Sequence, residues 1–148
     1  MVGSGALTEH RLVGVDTSLF IHAFERHAVF GERSAAILRS IEVRRPSVVA
    51  STRLIAELLV APFTTGRLEL VDEYVDRLSV LPNLRLIPPD VAICRTAARL
   101  RAERRALRLP DAIHLATAIE SKASAFVTND RNLGEGRELT ILRVSALT

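Results

Sequence analysis

Five short apolar runs, at residues 12–15, 47–50, 84–87, 125–127 and 139–144, recur along the chain with helix-patterned segments between them. The runs at 12–15 and 125–127 are continuously apolar instead of alternating, the pattern of buried strands. Strands alternating with helices over most of the chain predict an α/β fold: a mainly parallel five-stranded sheet with helices on both faces, the last strand at an edge. With 148 residues, 48% of them hydrophobic, one domain is expected. A chain of this size buries about 68–70% of its unfolded surface and needs no staples. Residues 11–148 are read as that domain and residues 1–10 as a flexible lead-in.

The apolar runs place acids at particular points. Leu12-Val13-Gly14-Val15 ends in Asp16, and Thr17 or Ser18 is expected to cap the next helix, which Gly31 breaks. A second helix is expected over 34–43, and a third, capped by Ser51 or Thr52, carries Glu57 and stops at Pro62. An amphipathic helix over 68–81 and a long one from Asp90 to about Arg108 follow. Pro110 and Asp111 then open a helix that is apolar on nearly every side, hence buried. The strand at 125–127 delivers Thr128-Asn129-Asp130 to its carboxyl end.

In open α/β sheets, ligands bind at the carboxyl ends of strands beside a topological switch point, so Asp16 and Asp130 can share one edge. Two carboxylates about 4 Å apart repel by roughly 4 kcal/mol at an effective dielectric near 20. A proton or a divalent cation must neutralise such a cluster, and oxygen-only donors favour Mg²⁺ or Mn²⁺. Each acid also has a plainer reading. Asp16 and Asp130 fit turns, Asp111 fits a helix start, and Glu57 fits a surface pair with Arg53. On a helical wheel Leu54, Ile55, Leu58 and Leu59 centre about 70° from Leu54, which leaves Glu57 about 130° from that centre, a flank or solvent position. His114 shares the face of Asp111 one turn on; without a second histidine at ligand spacing it reads as structural, or as a partner behind a ligand.

The net charge of +3 and pI of about 9.9 come from arginine, since Lys122 is the only lysine among 20 basic residues. Arg101, Arg104, Arg105 and Arg108 fall within about 100° of one another on the expected long helix. They offer either a grip for RNA backbone phosphates or an ordinary solvated face. Aromatics, at 4%, are too few for a base-stacking platform. One cysteine, Cys94, excludes an intramolecular disulfide and a multi-cysteine zinc site. No apolar run reaches the ~18 residues of a membrane span and no leader precedes the first strand, so a cytoplasmic protein is expected. No Gly-rich phosphate loop, no Gly-x-Ser-x-Gly elbow and no Asp-x-Asp phosphatase pair is present.

Asp16-Thr17-Ser18, Glu57 within Leu-Ile-Ala-Glu-Leu-Leu, Leu-Pro-Asp-Ala-Ile-His-Leu-Ala-Thr-Ala at 109–118 and Thr-Asn-Asp at 128–130 resemble PIN-domain proteins of the VapC toxin type. The likeness runs from Leu12 to Val144. It implies a sheet ordered 3-2-1-4-5 and a Mg²⁺- or Mn²⁺-dependent endoribonuclease. It places Asp16, Glu57, Asp111 and Asp130 at the family's acidic positions, with Thr17 and Thr128 as polar helpers. For Glu57 it overrides the wheel. It also implies a cognate antitoxin and a homodimer. Two rivals stand beside it: a non-catalytic α/β RNA- or protein-binding module, and a phosphoacceptor domain, for which Lys122 is the only available lysine.

Overall fold

The computed structural model describes residues 4–26, 31–43, 46–130, 133 and 136–147. Helix α1 (Ser4–Thr8) precedes strand β1 (Leu12–Val15), helices α2 (Thr17–Phe24) and α3 (Gly31–Val43), and strand β2 (Ser47–Ser51). Helices α4 (Arg53–Leu58), α5 (Val60–Thr64) and α6 (Leu68–Val80) lead to β3 (Leu84–Ile87). Helices α7 (Val91–Glu103) and α8 (Leu109–Glu120), β4 (Ala125–Thr128), β5 (Thr140–Arg143) and a 3-10 turn (Val144–Ala146) complete the chain. The strands form one sheet in the order β3-β2-β1-β4-β5, every neighbouring pair parallel.

Side-chain alternation builds a core on each face. Val13, Val15, Val48, Ala50, Ala125 and Val127 meet α2, α3, α4 and α6 on one side. Val49 and Phe126 meet α7 and α8 on the other. Helix α8 approaches β1 closely at Gly14. A Cβ placed on Gly14 would stand 2.3 Å from Ala118 Cβ and 2.9 Å from Phe126 Cδ2, so α8 rests on bare strand backbone. Because α8 runs back across the sheet before β4, its first turn lies at the carboxyl edge. That is the edge where α2 and α4 also begin. At the amino edge His10 Nδ1 lies 2.7 Å from Ser124 Oγ, joining the entry to β1 to the entry to β4.

Several expectations need correction. The lead-in over residues 1–10 includes α1, and its Leu7 is buried in the core. Helix α2 ends at Phe24, and Gly31 opens α3 where a break was expected. Asp16 itself, not Thr17 or Ser18, caps α2, accepting from Ser18 N at 3.1 Å. The helix bearing Glu57 breaks at Leu59, not at Pro62, because a proline nitrogen has no hydrogen for the carbonyl of Leu58. Pro62 sits in the first turn of α5, where no N–H is required.

Helix α7 stops at Glu103, so Arg101, Arg104, Arg105 and Arg108 form no helical stripe. Arg104 leaves helical geometry, at φ −134° and ψ 90°, and Leu107 turns into the core. Arg101 Nε donates to the Leu107 carbonyl at 3.2 Å, holding this turn, and Arg108 stands at the N-cap position of α8 without a side-chain cap bond. His27 and Arg131 lie outside the described residues.

Candidate metal centre at the carboxyl edge

Asp16 is the most enclosed of the candidate acids, with 8% of its surface exposed. Its Oδ1 accepts from Ser18 N at 3.1 Å and from Ser18 Oγ at 2.5 Å, while Thr128 Oγ1 donates to its Oδ2. A carboxylate offers about four acceptor positions, so Oδ2 keeps a lone pair. Burial pushes the Asp16 carboxyl above its ordinary value. Hydrogen bonds from Ser18 and Thr128 and the charge of His114 oppose that rise, and the charge of Asp111 adds to it.

Of the other acids, only Asp130 is tied to Asp16 by hydrogen bonds. Asp130 N donates to Thr128 Oγ1 at 2.9 Å, so one hydroxyl ties the backbone of Asp130 to the carboxylate of Asp16. Asp111 lies in the first turn of α8, its side chain 23% exposed and 3.4 Å from Arg108 Nε. Glu57 stands on the flank of α4, with its side chain 28% exposed. The wheel position is right, yet that flank faces the carboxyl edge as well as solvent. Glu57 Oε1 is 3.0 Å from His114 Nε2 and 2.9 Å from Arg53 Nε, the second contact an ion pair without hydrogen-bond alignment. Thr17 Oγ1 lies 3.0 Å from the same His114 Nε2.

Burial alone would raise Glu57. Hydrogen bonds from His114 and Thr17, with the charges of His114 and Arg53, outweigh it and hold the carboxyl below its ordinary value of 4.5. A carboxyl lowered on folding stabilises the fold above its unfolded value, and that contribution is lost as pH falls through the folded one. Wild-type protein should therefore lose stability on acidification below the ordinary carboxyl value of 4.5 more steeply than Glu57→Gln. Denaturant titrations across that window check this, and parallel pH slopes would contradict it.

Some members of this edge had no visible signal in the sequence. Arg143, on the edge strand opposite Thr128, donates Nη1 to the Asp130 carbonyl and Nη2 to the Leu133 carbonyl at 2.6 Å, clamping the segment that carries Asp130. It could be found only once β5 was paired with β4. Asn129 Nδ2 reaches His22 Nδ1 at 2.6 Å and ties the same segment to α2. Ser18 does have a signal, since Asp-x-Ser is the spacing of a side-chain cap.

Among the described residues, no three Asp, Glu, His or Cys side chains converge as a closed metal cage. The donor set nonetheless suits a hard cation. Asp16 is a buried carboxylate with an unused lone pair, burdened further by the charge of Asp111. Mg²⁺ is commonly held by one or two carboxylates, several waters and substrate phosphates, without an all-protein cage.

Fold and edge define an α/β protein with Asp16 and Asp130 just past the carboxyl ends of β1 and β4, the two strands at the switch point. The PIN domain model matches residues 13–138, and the chain belongs to the PIN domain family. Curated proteins give no match to the sequence. Among solved structures, VapBC2 from Rickettsia felis bound to a DNA fragment from its promoter is 18% identical, with a TM-score of 0.70 over 89% of this chain and 98% of that one. A toxin–antitoxin complex from Klebsiella pneumoniae is 21% identical, with a TM-score of 0.65 over 90% and 96%. VapC20 from Mycobacterium tuberculosis, a sarcin–ricin loop cleaving toxin, is 12% identical, with a TM-score of 0.63 over 82% and 91%. At these identities the likeness shows the fold. Among the described residues no helix is long and apolar enough to cross a membrane.

Proposed function

We propose that the protein is a Mg²⁺- or Mn²⁺-dependent endoribonuclease, the toxin of a type II toxin–antitoxin pair. The observation that carries this reading is the Asp16 carboxylate, buried beside the charge of Asp111 with a lone pair left on Oδ2. Asp16 and Asp111 would hold the cation, with Glu57 and Asp130 completing the set directly or through water. The bound cation supplies a water nucleophile active at neutral pH and charge stabilisation for the leaving oxygen. Ser18 and Thr128 fix the Asp16 carboxylate so that Oδ2 is the oxygen presented. Thr128 and Arg143 hold the segment bearing Asp130. Arg108, exposed next to Asp111, is placed to meet a backbone phosphate at the mouth of the site.

The partners in this reading are RNA, a cognate antitoxin and a second copy of the chain, and the setting is the cytoplasm. The PIN fold and the toxin–antitoxin complex from Klebsiella pneumoniae support it. Purified protein free of antitoxin should cleave total RNA with Mg²⁺ or Mn²⁺, lose cleavage in chelator, and regain it when Mn²⁺ is restored. Cleavage that persists in chelator would exclude the mechanism. The absence of a three-ligand cage among the described residues favours a second reading, a non-catalytic α/β RNA- or protein-binding module. That module would bind RNA in a salt-sensitive, metal-indifferent way and cleave nothing.

A further inference from the structure

His114 is a polar residue in the middle of an apolar helix, and only 3% of its surface is exposed. Burial of an imidazole is unfavourable unless its nitrogens are used. Only one of them is. Nε2 lies 3.0 Å from Glu57 Oε1 and 3.0 Å from Thr17 Oγ1, whereas Nδ1 is buried with no hydrogen-bond partner among the described residues. A carboxylate only accepts, so Nε2 carries the proton and Thr17 Oγ1 shares it as a second acceptor. The Thr17 hydroxyl hydrogen is then free for Glu57, to which Thr17 is also hydrogen-bonded. The ring thus serves the core through one nitrogen alone, which meets Glu57 and Thr17 at the junction of α2, α4 and α8. Packing alone does not explain it, because a leucine would fill the space without leaving Nδ1 unpaired.

Glu57 itself has little else to fix its direction. Helix α4 has six residues, and only Leu54 and Leu58 of it are buried. The Arg53 contact is an i,i+4 pair with a side chain 36% exposed, a geometry worth only a few tenths of a kcal/mol. From these observations we infer that His114 is a positioning residue: it holds the Glu57 carboxylate toward the Asp16 edge, with Thr17 sharing the contact. This rests on the reading that Glu57 belongs to the metal site.

The test uses the full chain and Mn²⁺ alone, with binding followed by titration calorimetry and thermal unfolding run in chelator. His114→Leu keeps the packing and removes the donor, and should weaken Mn²⁺ binding by about 10–100-fold, as loss of a ligand's outer partner does. His114→Gln returns an N–H near the Nε2 position and should recover most of that loss. In a Glu57→Gln background, adding His114→Leu should cost no further affinity, which a purely structural histidine would not predict. Wild-type affinity in His114→Leu, or an equal loss in both backgrounds, overturns the inference. Unchanged affinity in Glu57→Gln would instead remove Glu57 from the site and take the inference with it. Should His114→Leu fail to fold, His114→Met, which also lacks the donor, is compared in both backgrounds: a loss with Glu57 and none with Glu57→Gln supports the inference, and wild-type affinity or an equal loss in both overturns it.

Discussion

Asp16→Asn gives a folded protein that has lost RNA cleavage by more than about a hundredfold, beyond the 10–100-fold expected from disturbing an outer partner of a metal ligand. Asparagine caps helices about as well as aspartate, so the α2 start keeps its Ser18 N contact. Asp16→Ala would add roughly 1 kcal/mol of cap loss and blur the result. The same change should raise stability in chelator. Burial and the Asp111 charge lift the Asp16 carboxyl above its unfolded value. For an acid shifted that way, the stabilising contribution is complete below the unfolded value and lost as pH rises through the folded one. At neutral pH without a cation the Asp16 charge is therefore a burden that asparagine removes. A gain of about 2–4 °C in Tm corresponds to roughly 1 kcal/mol in a chain of this size. Activity falling while chelated stability rises is the signature of a residue kept for chemistry. Residual metal-dependent cleavage near the wild-type rate would sink the proposed mechanism.

Gly14→Ala should be the most damaging single methyl group in the protein. Carbon atoms rest about 3.5–4.0 Å apart, and the added Cβ would find Ala118 Cβ at 2.3 Å and Phe126 Cδ2 at 2.9 Å. No rotamer relieves a clash between two Cβ atoms, so α8 must lift from β1. Overpacking of this kind costs about 1–3 kcal/mol or more, a fall in Tm of roughly 2–12 °C here. Cleavage should decline further than the unfolded fraction explains. Lifting α8 moves Asp111 and His114 relative to Asp16, and misplacement by about 1 Å can cost 10²-fold in rate. Adding Ala118→Gly should return part of the stability despite the helix cost of glycine, about 1 kcal/mol. An unchanged Tm in Gly14→Ala would refute the close approach.

The sheet was legible because its signal is local. β1 and β3 have the expected bounds, and the 3-2-1-4-5 order implied by the family resemblance is the order found. The strand-end acids Asp16 and Asp130 were legible for the same reason. Helix ends decided by tertiary packing were not. The arginine pattern continues past Glu103, whereas the chain leaves helical geometry at Arg104 and turns Leu107 into the core. Glu57 shows the limit of a wheel, which measures angle from one helix's apolar centre and knows nothing of a second helix across the edge. His114 was ambiguous because an apolar helix does not reveal which polar group will stand opposite its one imidazole. Arg143 was invisible because its acceptors are main-chain carbonyls, and every sequence contains those.

The parallel sheet also gives the molecule two unlike ends. All five strands point their carboxyl ends one way, toward the acids, while His10 and Ser124 close the opposite end. Helix α1 enters from that opposite end, whereas the 3-10 turn at Val144–Ala146 follows the carboxyl end of β5. A surface or fusion partner attached ahead of α1 would therefore be anchored far from the acids and leave their approach open. Attached after Leu147, it would follow the carboxyl end of β5, the end that carries Asp16 and Asp130.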